Sequence, residues 1–234
     1  MGSPFEHLLD HSSPEAPFSD YTSNALRLFL EGLEPIRESQ VLDAGPVCGD
    51  NIRFFAPRVK RLYVCDMFFN LSRNLRRGLH SDELWQYLDY PPHSFDGILL
   101  WNLVDHLDDR ETGRIGERCY EMLKPGGMLL VFLTGRPSVE TVGCAFVAKD
   151  GYQLNIERKP DMDLPAYARN NREVLQLLQR FTPEKSFLYQ SGLREYFFRR
   201  DRGLSFGREG TGFSPAGVSS LDGHGGRRVL REDA

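Results

Sequence analysis

Residues 41–49 read VLDAGPVCG. Val41 and Leu42 begin a short buried strand that runs to Ala44. Gly45 and Gly49 bound the turn that follows, and residues 50–56 have the spacing of a short helix that Pro57 stops. A buried strand, a glycine-bounded turn and a helix N-terminus is how α/β proteins hold nucleotide-like ligands. The first amides of a helix lack intrahelical partners and face the loop. Pro46 and Val47 stand inside this turn, where a flexible glycine-rich stretch is expected.

On the N-terminal side, residues 1–19 are rich in Pro and Ser and read as a flexible arm. A helix begins near Ser23. Its Leu26, Phe29, Leu30 and Leu33 fall at i, i+3, i+4 and i+7, one apolar face, and Gly32 and Pro35 mark its end.

On the C-terminal side, strands and helices alternate. Strands are expected at 62–65, 84–88, 95–101 and 128–133, with helices at 68–77 and 109–123. The pair Gly126 and Gly127 is expected to cap the second of these helices. Five such strands predict a parallel, doubly wound sheet. Residues 141–148 and 152–157 flank Lys149-Asp150-Gly151 and predict a β-hairpin. Asn171 reads as the N-cap of a further helix, with Val174, Leu177, Leu178 and Phe181 on one face. Residues 186–190 and 194–199 are joined so tightly by Ser191-Gly192 that they must pair antiparallel. From 201 to 234 the chain carries eight of its 22 glycines and few large apolar groups, which predicts a disordered tail.

The totals narrow the classes. A chain of 234 residues with 40% hydrophobic and 26% charged residues is that of a soluble globular protein. A net charge of −4 gives no electrostatic reason to expect nucleic acid or an anionic membrane as partner. The longest purely apolar run, 128–133, is far short of a membrane span. No signal peptide is read at the N-terminus. The four cysteines form no CxxC pair, which argues against a zinc site and for a reducing, cytoplasmic setting.

In order and spacing these segments resemble the class I S-adenosylmethionine-dependent methyltransferases over roughly residues 20–200. VLDAGPVCG resembles that family's first motif. Asp66, closing the second strand, matches its ribose-binding acid. SFDGILLWNLVDHLDD and MLKPGGMLLVFL are similar to its fourth and fifth strands. FLYQSGLREYFFRR is similar to its reversed last strand. The resemblance implies a three-layer, mostly parallel seven-stranded sheet with an antiparallel last strand. It also implies S-adenosylmethionine as cofactor and a small-molecule acceptor. Residues 137–170 would then form a hairpin and loop insertion covering the substrate.

Candidate roles follow residue by residue. Asp66 lies 21 residues beyond Gly45, near the expected separation for an acid that accepts both hydroxyls of a ribose. Asp43, Gly45 and Gly49 are cofactor-loop candidates, with Asp43 placed to meet an amino group. Met67 is a candidate for one face of the adenine, and Asp89 and Tyr90 for its edge. Trp101 and Asn102 lie at the mouth of the fourth strand, where ligands of such sheets bind. Asp105 and His106 form an acid–base pair near the site. Tyr21 is placed to close over the cofactor, and Arg136 to meet an anionic substrate.

Two readings compete with the enzyme. One is a non-catalytic module of the same fold with lost or altered cofactor binding. It is motivated by Val47, which stands where the family commonly has glycine, and by Pro46, which removes a backbone N–H from the loop. If the turn needs a left-handed residue there, valine would cost about 1–2 kcal/mol. The other is a nicotinamide-dependent oxidoreductase. Its fingerprint needs G-x-G-x-x-G, whereas Gly45 and Gly49 are separated by three non-glycine residues.

Overall fold

The computed structural model describes residues 20–202, apart from 79–80, 136–142, 160–161 and 163. The expected arm at 1–19, nearly all of the expected tail and Arg136 lie outside the described residues. Chain order begins with β1 (Tyr21–Thr22) and α1 (Asn24–Leu33), then β2 (Gln40–Asp43) and α2 (Gly49–Phe55). β3 (Arg61–Val64), α3 (Met67–Arg76), β4 (Phe95–Trp101) and α4 (Asp109–Met122) follow. Next come β5 (Leu123–Leu133), β6 (Cys144–Lys149), β7 (Gln153–Arg158) and α5 (Asn171–Leu177). The last two strands are β8 (Thr182–Leu188) and β9 (Arg194–Arg199).

The main sheet has the order β3-β2-β4-β5-β9-β8. β2 pairs in parallel with both β3 and β4, and β4 pairs in parallel with β5. β9 enters antiparallel between β5 and β8. Alternate strand residues face opposite layers. Leu42, Ile98, Leu100, Leu129 and Val131 face α3, α4 and α5. Val41, Leu99, Trp101, Leu130 and Phe132 face α1 and α2. This is the expected three-layer α/β architecture.

The sheet has six described strands, where seven were expected. The segment 84–88 is not a strand: it falls in a 3-10 helix over Ser81–Tyr87 and just beyond it. Leu84 and Leu88 are both buried, four residues apart, which is helical spacing. The segment also lacks β-branched residues, which favour a strand.

Helix ends follow local chemistry. The Ser23 side chain accepts from the Leu26 amide and caps α1. Asp108 and Glu111 form a reciprocal capping box on α4, and Asn170 and Glu173 do the same on α5. The cap of α5 is thus Asn170, one residue earlier than expected. α4 ends without its expected glycine cap. Leu123 is already extended, because Lys124-Pro125 leads straight into β5.

A second sheet, ordered β1-β7-β6, contains the expected hairpin. Gly151 makes its turn at φ 71°, in the left-handed region that glycine adopts without strain. The hairpin is tied to α2 by one side chain. Asn51 donates to the Phe146 carbonyl at 2.9 Å and accepts from the Ala148 amide at 2.8 Å. Among the described residues no helix is long and apolar enough to cross a membrane.

Candidate functional site

The parallel strands β2, β3 and β4 end on the same side, and the loops beyond them converge there. The 44–48 loop is short and tightly held. The Ala44 amide continues the sheet by donating to the Leu99 carbonyl at 2.9 Å. The Gly45 amide then turns back to Asp43 Oδ1 at 2.9 Å. Neither Gly45, Val47 nor Gly49 has a positive φ. The loop therefore takes a path with no left-handed residue, and the cost expected of Val47 does not arise. Its side chain is 62% exposed and points away from the core.

Asp66 sits at the end of β3 as the N-cap of α3. Its Oδ1 accepts from the Phe69 amide at 2.7 Å. Its Oδ2 accepts from the Val47 amide at 2.9 Å, which joins the first loop to the second. Those two bonds use about half of a carboxylate's four acceptor positions. The residue is half-buried at the surface of the cleft.

Asp43 is placed differently. It is 2% exposed, and its Oδ1 also accepts from Trp101 Nε1 at 2.6 Å. Burial pushes its carboxyl up to about 6, against the pull of the indole and Gly45 donors. Trp101 lies flat on Phe132 at 5.5 Å and Phe146 at 6.1 Å between ring centroids. A Cβ on Gly45 would lie 2.4 Å from Trp101 Cδ1. Gly45 is thus required for the approach of this indole.

The remaining candidates divide. Met67 is fully buried in the core beneath α3, so its side chain faces away from the cleft. The exposed residue on that helix turn is Phe69, 61% exposed. Asp89 is exposed and lies 3.9 Å from the Arg118 guanidinium. Tyr90 packs edge-on against Tyr63 and Phe95. Gly49 is exposed and opens α2.

Asn102 is fully buried, with Nδ2 near His106 Nε2 at 3.2 Å and no partner for Oδ1. His106 Nδ1 lies 2.8 Å from the Pro165 carbonyl, which fixes the proton on Nδ1 and leaves Nε2 to accept from Asn102. Both ring nitrogens are engaged, and burial lowers the pKa of the ring. Asp105 does not bond His106. Its Oδ2 accepts from both the amide and the hydroxyl of Thr134, each at 2.8 Å. Its carboxyl too is pushed up to about 6 by burial. Tyr21 packs on Tyr189 at 4.8 Å, and its buried hydroxyl faces the Glu195 carboxylate.

Sequence reasoning placed Trp101 at the mouth of β4 and did not foresee its bond to Asp43. A small residue at 45 opposite a large one at 101 was the available signal.

The two buried carboxyls make stability depend on pH. Each has a folded pKa of about 6, above the ordinary 3.8, so the folded state holds its proton more tightly. That contribution is full below about pH 4 and is lost as pH rises through about 6. Asn at position 43 accepts from the same two donors without titrating. The stability of Asp43→Asn relative to wild type should therefore climb between pH 4 and 7, by roughly 1–3 kcal/mol. Urea midpoints at several pH values measure it, and a difference that stays flat would contradict the assignment.

A model of the methyltransferase domain matches residues 42–131. No curated protein matches the chain. Solved structures do. One is a 1,6-didemethyltoxoflavin-N1-methyltransferase from Burkholderia thailandensis, determined with S-adenosylhomocysteine. It is 19% identical with a TM-score of 0.44, over 76% of this chain and 79% of that one. Another is the N-methyltransferase NodS from Bradyrhizobium japonicum, also with S-adenosylhomocysteine. It is 18% identical with a TM-score of 0.45, over 75% of this chain and 85% of that one. An S-adenosylmethionine-dependent methyltransferase from Clostridium acetobutylicum is 10% identical with a TM-score of 0.49, over 75% and 89%. The matched segment runs from β2 into β5, through both cleft acids, and the sheet continues into a reversed β9. Residues 42–131 of this chain are therefore similar to the methyltransferase domain, within a sheet whose last inner strand is reversed.

Proposed function

We propose that this chain is a cytoplasmic enzyme that transfers the methyl group of S-adenosylmethionine to a small-molecule acceptor. The observation that carries this reading is Asp66. It is a half-buried carboxylate at the end of β3, held by two backbone amides, with acceptor capacity to spare for a vicinal diol. The methyltransferase-domain match supports the enzyme over a non-catalytic module of the same fold.

In this reading residues 20–200 form the catalytic domain and 137–170 cover the acceptor. Asp66 takes the ribose. Gly45 and Gly49 shape the loop, and Asp89, Tyr90 and Asn102 border the cleft. Met67 supports it from the core. Asp105 and His106 hold the turn after β4 in place, since both are engaged within the fold. Methyl transfer to a positioned nucleophile needs orientation and exclusion of water more than a base.

The residues fit the cofactor unequally. The ribose end fits, through Asp66. The amino-acid end does not fit in this conformation, because Asp43 is buried, with Trp101 and Gly45 both donating to its Oδ1.

Calorimetric titration with S-adenosylmethionine tests the reading. Wild type should bind, and Asp66→Ala should bind roughly 30-fold more weakly, the effect of losing hydrogen bonds to a charged acceptor. Asp66→Asn keeps the helix cap and separates that loss from any local unfolding. Absence of heat at millimolar ligand with wild type would refute the assignment.

A further inference from the structure

We propose that Trp101 determines which ligands the cleft between Asp43 and Asp66 accepts. Its indole stands in for the amino-acid end of the cofactor. The cleft as folded therefore takes a nucleoside-sized thioether, and it admits the full cofactor only when the indole leaves Asp43. The proposal rests on the methyltransferase reading above and assigns Trp101 as a specificity-determining residue.

Four observations converge. First, the indole N–H and the ammonium of an amino-acid tail are alike in one respect: each donates to a carboxylate. Here the indole holds Asp43 Oδ1 at 2.6 Å, and the Gly45 amide shares the same oxygen. Second, the space that glycine leaves at position 45 is filled. Trp101 Cδ1 and Nε1 lie 2.4 and 2.6 Å from where a Cβ would stand. A ligand tail entering beside Gly45 meets the indole.

Third, Trp101 is held at φ 51°, a conformation that bulky side chains rarely adopt. The β4–β5 register also shifts between Leu99 and Trp101. Backbone strain of this kind persists only where surrounding contacts impose it, and it is released when the residue moves. Fourth, the contacts that impose it come partly from the hairpin. Phe146 on β6 stacks on Phe132 at 5.0 Å and completes the aromatic layer under the indole. The hairpin thus belongs to the device that keeps Trp101 on Asp43. Asp66 lies beyond that layer and remains half-exposed, so the ribose end stays open while the tail end is closed.

The test compares S-adenosylhomocysteine with 5′-methylthioadenosine. The two share adenosine and a thioether and differ in the amino-acid tail. Full-length wild type should bind both within about threefold of each other by calorimetry. Trp101→Phe retains an aromatic ring for the stack and removes the N–H. It should strengthen S-adenosylhomocysteine binding by about tenfold or more and leave methylthioadenosine within about twofold. A wild-type preference for S-adenosylhomocysteine of about a hundredfold, or an unchanged ratio in a folded Trp101→Phe, overturns the proposal.

A second measurement does not depend on that variant. The chain has two tryptophans, so Trp85→Phe leaves Trp101 as the sole indole. Saturating S-adenosylhomocysteine should shift its emission to longer wavelength as the ring leaves its buried layer, and methylthioadenosine should not. Unchanged emission with saturating S-adenosylhomocysteine overturns the proposal while leaving the methyltransferase reading intact. Failure of wild type and variant to bind either ligand overturns both.

Discussion

Arg169→Met is expected to cost about 4 kcal/mol of unfolding free energy. The guanidinium is nearly fully buried and donates to the Val104 and Leu107 carbonyls, each at 2.5 Å. It also reaches Asp109 Oδ1 at 3.0 Å. Methionine replaces its aliphatic stem and leaves two buried carbonyls without those donors. The loss should be local before it is global. The Tyr167 amide donates to the Asp105 carbonyl at 2.7 Å, and His106 meets the Pro165 carbonyl, so 165–169 and 104–107 are stitched together. Amides in that turn should lose hydrogen-exchange protection first. Arg169→Lys keeps the charge without the planar fork and should recover less than half of the loss. A variant that unfolds at the wild-type urea concentration would show that the brace is dispensable.

Gly97→Ala is expected to cost about 3 kcal/mol. Gly97 lies in the middle of β4, and its absent side chain is the seat for Phe29 of α1. A Cβ there would stand 2.4 Å from Phe29 Cζ and 2.8 Å from Cε2. Both residues are buried, so the ring cannot retreat without lifting α1 from the sheet. The strain should be relieved by shortening the ring. Phe29→Leu in the Gly97→Ala background should therefore be less harmful than in wild type, and a double-mutant cycle in urea measures the coupling. Additive effects would mean that the helix rides elsewhere.

These two positions also show what the sequence could and could not reveal. The alternation of β2, β3, β4 and β5 with helices was legible because each strand is a short apolar run ended by a turn or an acid. The reversed β9 was legible because Ser191-Gly192 leaves no room for a crossover. The segment 84–88 was misread because Leu84 and Leu88 suit one face of a strand as well as one turn of a helix. Arg169 carried no pattern at all: its partners are backbone carbonyls some 60 residues away, which no local window contains. Gly97 looked like an ordinary weak point in a strand, and only the packing of Phe29 explains it.

At the cleft the residue types were readable and their allegiances were not. Asp66 was placed by its distance from Gly45. Asp43 looked equivalent, yet it is buried and bonded to Trp101, because a long aromatic at the end of β4 reaches back across the sheet. Val47 looked like an obstacle in the loop. Its backbone is unstrained and its side chain faces water, since its amide turns toward Asp66.

The bond pair made by Asn51 has a consequence for how this protein behaves in concentrated solution. β6 is an outer strand of the small sheet, and an outer strand left bare offers a row of amides and carbonyls of the kind that recruits strands from other molecules. The Asn51 amide group occupies the Phe146 and Ala148 positions of that row, as a neighbouring strand would. One side chain on α2 therefore acts as a selvedge, closing the two edge positions that another strand would otherwise pair with.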